Sequence, residues 1–350
     1  MAVATGSTPS GPTTTAAAPT GAGHVATMTL GKALNAGLRQ ALTDDPNVVL
    51  MGEDIGKLGG VFRVTEGLQQ EFGDRRVIDT PLAESGVIGT AVGLAVRGYR
   101  PVCEIQFDGF VYPAFDQIVS QVAKLHYRNE GRVAMPITIR IPYGGGIGAV
   151  EHHSESPEAY FAHTAGLRVV TCSNPADGYR MIQQAVASPD PVVFFEPKRR
   201  YWDKGEVDED EPLSAIPLHG ARVVVEGTDV TVATYGSMVA TALHAARIGA
   251  EEGTSLEVVD LRSLSPIDFG TLEESVRKTG RLVVAHEAPV FGGLGAEIAA
   301  RVAERCFYHL EAPVRRVGAF ATPYPPSRLE KHFLPDADRI LHEVDKCLEV

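Results

Sequence analysis

Val102-Cys-Glu-Ile-Gln-Phe107, Ala114-Phe-Asp-Gln-Ile-Val-Ser-Gln-Val-Ala-Lys-Leu-His-Tyr127 and Ile137-Thr-Ile-Arg-Ile141 succeed one another along the chain. The first and third are short apolar runs suited to strands. The second has the period of an amphipathic helix. Strand, helix and strand in that order make a unit whose two strands lie parallel. The same alternation extends outward from it. Upstream, Val48–Met51 reads as a strand and Glu84–Arg97 as a helix of small residues. Downstream, Leu167–Thr171 and Val192–Glu196 read as strands, with a helix over Pro175–Ala187 between them. The fold class is therefore α/β, with a parallel sheet covered on both faces.

A charged, proline-bearing stretch from about Lys198 to Leu218 breaks the pattern, with Asp203, Glu206, Asp208–Glu211, Pro212 and Pro217. The alternation then restarts. Val230–Thr234, Leu256–Asp260 and Leu282–His286 read as strands, and Ser237–Ala250, Phe269–Lys278 and Gly295–Arg305 as helices. This predicts a first domain over residues 28–203, a linker over 204–218 and a second α/β domain over 219–350. The chain of 350 residues is 44% hydrophobic, enough for a core in each.

The net charge of −12 argues against nucleic acid or an anionic membrane as partner. No apolar run approaches the roughly 18 residues of a membrane span. Cys103, Cys172, Cys306 and Cys347 form no C-x-x-C pair, so they read as reduced thiols of a cytosolic protein. Residues 1–27 are rich in Ala, Thr, Gly, Pro and Ser and are expected to be disordered. They lack a basic start, an apolar stretch and any Arg, so neither a secretory signal nor a mitochondrial transit peptide is read there. The expected location is cytoplasmic.

Several short motifs sit at element ends. Asp79-Thr-Pro-Leu-Ala-Glu84-Ser-Gly-Val feeds a helix. Taken alone, an acid in a first helical turn does no more than complement the helix dipole. Phe110 falls beyond the carboxyl end of a strand, where open α/β sheets bind ligands. Gly144-Gly-Gly-Ile-Gly148 is followed by no helix, so a phosphate cradle is rejected, and its glycines are expected to admit a ligand or partner closely. In His152-His153-Ser154-Glu155-Ser156 the adjacent imidazoles are expected to point apart. They would chelate poorly, while one could serve as a proton donor. Gly292-Gly-Leu-Gly295-Ala-Glu reads as a tight turn under a closely packed helix.

Taken together, Gly52-Glu-Asp-Ile, Gly59-Gly-Val-Phe-Arg-Val-Thr, Asp79-Thr-Pro-Leu-Ala-Glu-Ser-Gly, Glu104-Ile-Gln-Phe, Pro113-Ala-Phe-Asp-Gln-Ile-Val, His153-Ser-x-Ser and Phe194-Phe-Glu-Pro-Lys recur in the order of one family. From about Met28 onward the chain resembles the E1 β subunits of 2-oxo acid dehydrogenase complexes, of the branched-chain type. The second half, with Val258-Val-Asp-Leu-Arg and His286-Glu-Ala, resembles the transketolase C-terminal domain. The resemblance implies a thiamine-diphosphate pyrimidine-binding domain followed by that C-terminal domain. It places Glu84 where the family keeps the glutamate that exchanges a proton with N1′ of the aminopyrimidine, a role suited to a partly desolvated carboxyl. Leu82 and Phe110 match ring-contacting positions, and Gln106 a nearby lining position. His153 matches the histidine that faces the entering lipoyl group. Branched-chain members read Gln where this chain has Glu155, and that carboxylate is expected to raise the His153 pKa or alter docking. Ile137, Thr138, Ala185, Ser188 and Asp190 match positions around a structural potassium ion, although Ser188 and Asp190 depart from the usual residues.

Thiamine enzymes hold Mg²⁺ through a Gly-Asp-Gly motif, which this chain lacks. The resemblance therefore implies an α subunit that holds Mg²⁺ and the diphosphate, in an α₂β₂ heterotetramer with the cofactor between subunits. It also implies the lipoyl domain and core of E2 as partners. The implied reaction is oxidative decarboxylation of a branched-chain 2-oxo acid and acyl transfer to lipoyl-E2. A pyruvate or acetoin dehydrogenase β subunit is the alternative. A non-catalytic docking or regulatory subunit of the same fold is the alternative of another class.

Overall fold

The computed structural model describes residues 25–350. The first half builds a sheet from β2 (Val48–Gly52), β3 (Val77–Asp79), β4 (Arg100–Glu104), β5 (Thr138–Tyr143), β6 (Arg168–Thr171) and β7 (Val192–Pro197). These six run parallel in the order β6-β7-β5-β4-β2-β3. Every residue of β2, β5 and β7 is buried, as a doubly covered sheet requires, including the charged Arg140 of β5 and Glu196 of β7. One face carries α1 (Leu30–Asp44), with Leu30, Leu34, Leu38 and Leu42 on its buried side, packed on α3 (Pro175–Ala187). Asn174 caps α3 by accepting the Asp177 N–H at 3.0 Å, and Pro175 supplies the preset φ of a first helical residue. The other face carries α2 (Glu84–Val96).

The second half builds β9 (Arg222–Val225), β10 (Val230–Thr234), β11 (Leu256–Asp260), β13 (Leu282–Pro289) and β14 (Arg315–Ala319), in the order β14-β13-β10-β11-β9. Only the edge strand β9 is antiparallel. Helices α4 (Met238–Glu251), α5 (Phe269–Thr279), α6 (Leu294–Arg305) and α7 (Ala337–Leu348) cover it. One buried cluster runs from Met51 and Ile139 to Val284 and Ile298, so the two halves share a core.

The structure departs from the sequence reading in four places. Val25–Thr27, expected in the disordered tail, belong to β1 (Val25–Thr29), and residues 1–24 lie outside the described residues. β1 pairs antiparallel with β8 (Lys204–Asp208), which lies inside the expected linker. This ladder meets backbone groups that a free tail and linker would leave to water. A strand not read from the sequence, β12 (Ser263–Ser265) of the second half, adds antiparallel to β6 of the first. Finally, the strand read over Val102–Phe107 stops at Glu104. The helix read over Ala114–Tyr127 starts earlier and is irregular: 3₁₀ over Asp108–Ala114 with Pro113 inside, then π-helical over Gln117–Val122. Pro113 has no N–H to donate to an α-helical ladder.

Candidate active site at the carboxyl edge

β5, β4, β2 and β3 are neighbours in that order, and three of them, β5, β4 and β3, end in segments carrying a singled-out residue. His153 follows β5, Gln106 and Phe110 follow β4, and Leu82 and Glu84 follow β3. Segments distant in sequence thus converge on the edge where open parallel sheets bind ligands.

Glu84 is half-buried at the first position of α2, which starts on Ala83 with no side-chain cap. A carboxylate there is favoured by the helix dipole. Glu53, which follows β2 and was not singled out from the sequence, has its carboxyl pushed upward by burial, then by the charges of Asp54 and Glu84. Two carboxyl groups therefore share this part of the edge. Leu82 is 67% exposed, while Gln106 and Phe110 are half-buried. Thr80 Oγ1 and Gln117 Oε1 are buried without a hydrogen-bond partner in this chain. An accessible carboxyl on the same sheet edge as exposed apolar and half-buried aromatic surface suits proton exchange with a flat heterocycle.

His153 stacks on Phe107 at 4.1 Å between ring centres and meets Phe110 edge-on at 5.1 Å. Gly109 permits this approach, since a Cβ there would fall 2.2 Å from the His152 carbonyl oxygen. The two histidines do not point apart as expected. Their rings pack edge to face at 4.3 Å within the 3₁₀ turn Glu151–His153. No group of three or more metal-ligating side chains occurs among the described residues. His153 Nδ1 lies 2.8 Å from the His152 carbonyl oxygen and so donates to it, which leaves Nε2 as the free ring nitrogen. The expected rise in the His153 pKa from Glu155 is also corrected. The Glu155 carboxylate accepts from the Tyr112 hydroxyl at 3.3 Å. The His153 pKa moves down, not up, through burial, with the charges of His152 and Lys198 outweighing Glu151.

Below this turn lies a buried ion pair that sequence reading missed. Lys198 Nζ donates to Asp108 Oδ1, and the Glu155 N–H donates to Asp108 Oδ2 at 2.9 Å. Both side chains are fully buried. The motif Phe194-Phe-Glu-Pro-Lys was the available signal, because a lysine at the end of a buried strand needs an anionic partner.

Glu158 lies in the short helix after this turn and is fully buried. The Tyr235 hydroxyl donates to its Oε1 at 2.7 Å, and its Oε2 has no partner. Burial pushes its carboxyl from 4.5 up to about 7. The folded state thus holds this proton more tightly than the unfolded chain. The stability it contributes is full below about pH 4.5 and is lost as pH rises through about 7. Glu158→Gln is expected to flatten the dependence of urea stability on pH across that window. An unchanged slope would show that Glu158 does not titrate there.

The five residues matched to a potassium site lie at the opposite edge of the sheet. Oxygens there already have partners. Arg100 donates to the Val186 and Ser188 carbonyls, each at 3.1 Å, Arg168 binds the Asp190 carboxylate at 2.6 Å, and the Ile137 carbonyl accepts from Val192 at 2.9 Å. Thr138 is buried in β5 and the Ala185 carbonyl accepts from Ser188 N–H at 3.2 Å. Two guanidinium groups thus answer much of the negative potential that a cation would meet.

Residues 26–203 match the transketolase pyrimidine-binding domain and residues 219–340 the transketolase C-terminal domain. The chain is 64% identical over 325 residues to a pyruvate dehydrogenase E1 component subunit beta of Leifsonia xyli, covering 93% of this chain and 96% of that one. It is 55% identical over 322 residues to a 3-methyl-2-oxobutanoate dehydrogenase subunit beta of Mycobacterium tuberculosis, covering 92% of each. Among solved structures it resembles a split-gene transketolase described as an inactive beta4 tetramer, with a TM-score of 0.73 and 27% identity over 92% of this chain and 98% of that one. The convergence of Glu84, Phe110 and His153 on one sheet edge fits these matches, and the chain belongs to the family of E1 β subunits of 2-oxo acid dehydrogenases, built on transketolase pyrimidine-binding and C-terminal domains.

Proposed function

We propose that this chain is the β subunit of a branched-chain 2-oxo acid dehydrogenase E1, acting with an α subunit in an α₂β₂ assembly. The observation that carries the reading is Glu84, half-buried at the carboxyl edge, two residues after exposed Leu82 and on the same sheet edge as half-buried Phe110. Thiamine diphosphate, when bound, supplies the electron sink for decarboxylation. Glu84 exchanges a proton with the aminopyrimidine nitrogen, and Leu82 and Phe110 pack on the ring. The chain has no Gly-Asp-Gly, so Mg²⁺ and the diphosphate fall to the α subunit. The outward face of α2 supports a partner there. Gly86, Gly89 and Gly93 are exposed, and at Gly89 and Gly93 nothing lies within 4 Å of an added Cβ. Each glycine inside a helix costs about 0.5–1 kcal/mol against alanine, so a run of them on one open face suits close approach by another chain.

Acyl transfer to a lipoyl group needs a proton delivered to a departing sulfur, and His153 Nε2 is the group placed to carry it. His153→Ala is expected to lower lipoyl acylation more than dye-coupled decarboxylation. Because its pKa is shifted down, the protonated imidazole is gained only below the ordinary 6.5. The acyl-transfer profile of the heterotetramer should therefore show a midpoint under that value. Equal losses in the two assays would count against this role.

Gln106-Phe107 and Phe115-Asp116-Gln117 resemble the branched-chain members of the family, and that resemblance supports the branched-chain substrate. The name of the 64%-identical relative supports pyruvate as a second reading. One or two methylenes in an apolar pocket are worth about 10–200-fold in kcat/KM. Ranking 3-methyl-2-oxobutanoate against pyruvate with the purified heterotetramer decides between them, and a preference for pyruvate would overturn the first.

A further inference from the structure

The loop that carries His153 is held from the other domain. It runs from Gly144 to Glu155, and its ends are joined by the Gly144 N–H, which donates to the Glu155 carbonyl at 2.8 Å. Two carboxylates of the C-terminal half reach into it. Glu287, on β13 and 5% exposed, accepts from the Gly145 N–H and the Ser237 hydroxyl, with Arg199 at 3.3 Å. Glu330, 9% exposed, accepts from the Gly146 N–H at 2.8 Å, the Gly148 N–H at 3.2 Å and the Tyr324 hydroxyl at 2.6 Å. Gly146 and Gly148 have φ of +89° and +72°, a conformation that aims their amides at one acceptor and disfavours other residues. The glycines thus admit two buried glutamates rather than a phosphate. Each of the two buried carboxyl groups meets three donors, which ties the loop to the C-terminal half. Asp108 anchors the far root of the same loop through Glu155.

We propose that Glu330 and Glu287 are positioning residues for His153, so that the C-terminal domain sets the geometry of acyl transfer through the backbone of the glycine loop. The inference rests on the reading of His153 as the lipoyl-facing group. Mere domain adhesion would affect both half-reactions alike. Positioning falls chiefly on the lipoyl step, because Glu84 follows β3, which β4 and β2 separate from the strand that carries the loop.

The test uses the α₂β₂ heterotetramer, with a lipoyl domain as acyl acceptor in one assay and 2,6-dichlorophenolindophenol as electron acceptor in the other. Glu330→Gln preserves volume but replaces one acceptor oxygen with a donor. It should lower kcat/KM for the lipoyl domain by about ten- to a hundredfold, the range for a misplaced catalytic group, and lower dye reduction far less. Combined with His153→Ala it should cause no further loss of acylation. Tyr324→Phe, which removes a single donor, should give a smaller loss of the same selectivity and serves if Glu330→Gln fails to assemble. Equal losses in both assays, or an additive loss on the His153→Ala background, overturns the positioning role. The reading of His153 itself fails separately, if His153→Ala alone does not divide the two assays.

Discussion

Glu84→Gln is expected to reduce dye-coupled decarboxylation by the reconstituted heterotetramer by about 10²–10⁴-fold, the usual weight of a lost general acid–base group. The amide matches the carboxyl in size and can still hydrogen-bond a ring nitrogen. It cannot take up and return a proton, so the change isolates proton exchange from binding. Glu84 is half-buried on the edge of the sheet and belongs to no salt bridge of this chain among the described residues. The fold should therefore tolerate the change within about 0.5 kcal/mol, as for substitutions away from packed networks. Loss of turnover with retained Tm and retained cofactor binding is the expected pattern. Near-normal dye reduction would remove Glu84 from the chemistry. A parallel fall in cofactor affinity would assign it to binding instead.

Much of the framework behind that prediction is legible in the chain. The parallel strands are short runs dominated by apolar residues, and β2, β5 and β7 fall where those runs stand. Helix α3 is announced by Asn174-Pro175, a cap followed by a residue with preset φ. The site residues are legible as motifs, and the topology gathers them because each lies just beyond a strand end. What is not legible depends on partners remote in sequence. Nothing local says that Val25–Thr29 will find Lys204–Asp208, because a two-stranded ladder rests on backbone groups that every residue has. Nothing around Gly144 says that its neighbours will bond Glu287 and Glu330, well over a hundred residues away. The direction of the His153 shift is likewise set by burial and by Lys198, which no reading of Glu155 beside it could supply. Glu53 was quoted within a motif, yet its upward shift comes first from burial, then from Asp54 and from Glu84 on the neighbouring segment, and the burial and Glu84 are set by the fold.

Arg140 is the residue whose loss should damage the fold most. In the sequence it is one polar position within Ile137-Thr-Ile-Arg-Ile141. In the sheet its register places it directly opposite Glu104 of β4, and Glu196 of β7 lies diagonally across from it. Its guanidinium donates to Glu196 through Nε at 2.6 Å and Nη2 at 2.9 Å, and to Glu104 through Nη1 at 2.6 Å. The Tyr201 hydroxyl completes Glu196 at 2.6 Å. Arg140 is 1% exposed and Glu196 fully buried. Burial works against the guanidinium charge, and Glu196 and Glu104 outweigh it, holding the proton more firmly than usual. Glu104 is nonetheless pushed upward, because burial outweighs Arg140. Arg140→Met would leave two carboxylates buried without their cation, which costs about 3–5 kcal/mol when a buried pair loses one partner. Domains of this kind are stable by only about 5–15 kcal/mol, so thermal unfolding should move down by on the order of 10 °C. Replacing the whole set by apolar residues of similar volume, with Glu104, Glu196 and Tyr201 changed together with Arg140, should cost less than the single substitution. That ordering separates an uncompensated charge from a network that is itself a large source of stability. An Arg140→Met subunit as stable as the parent would mean that water or rearrangement reaches the two glutamates. The carboxyl end of β4, from which Gln106 and Phe110 depart, would then not depend on this network for its position.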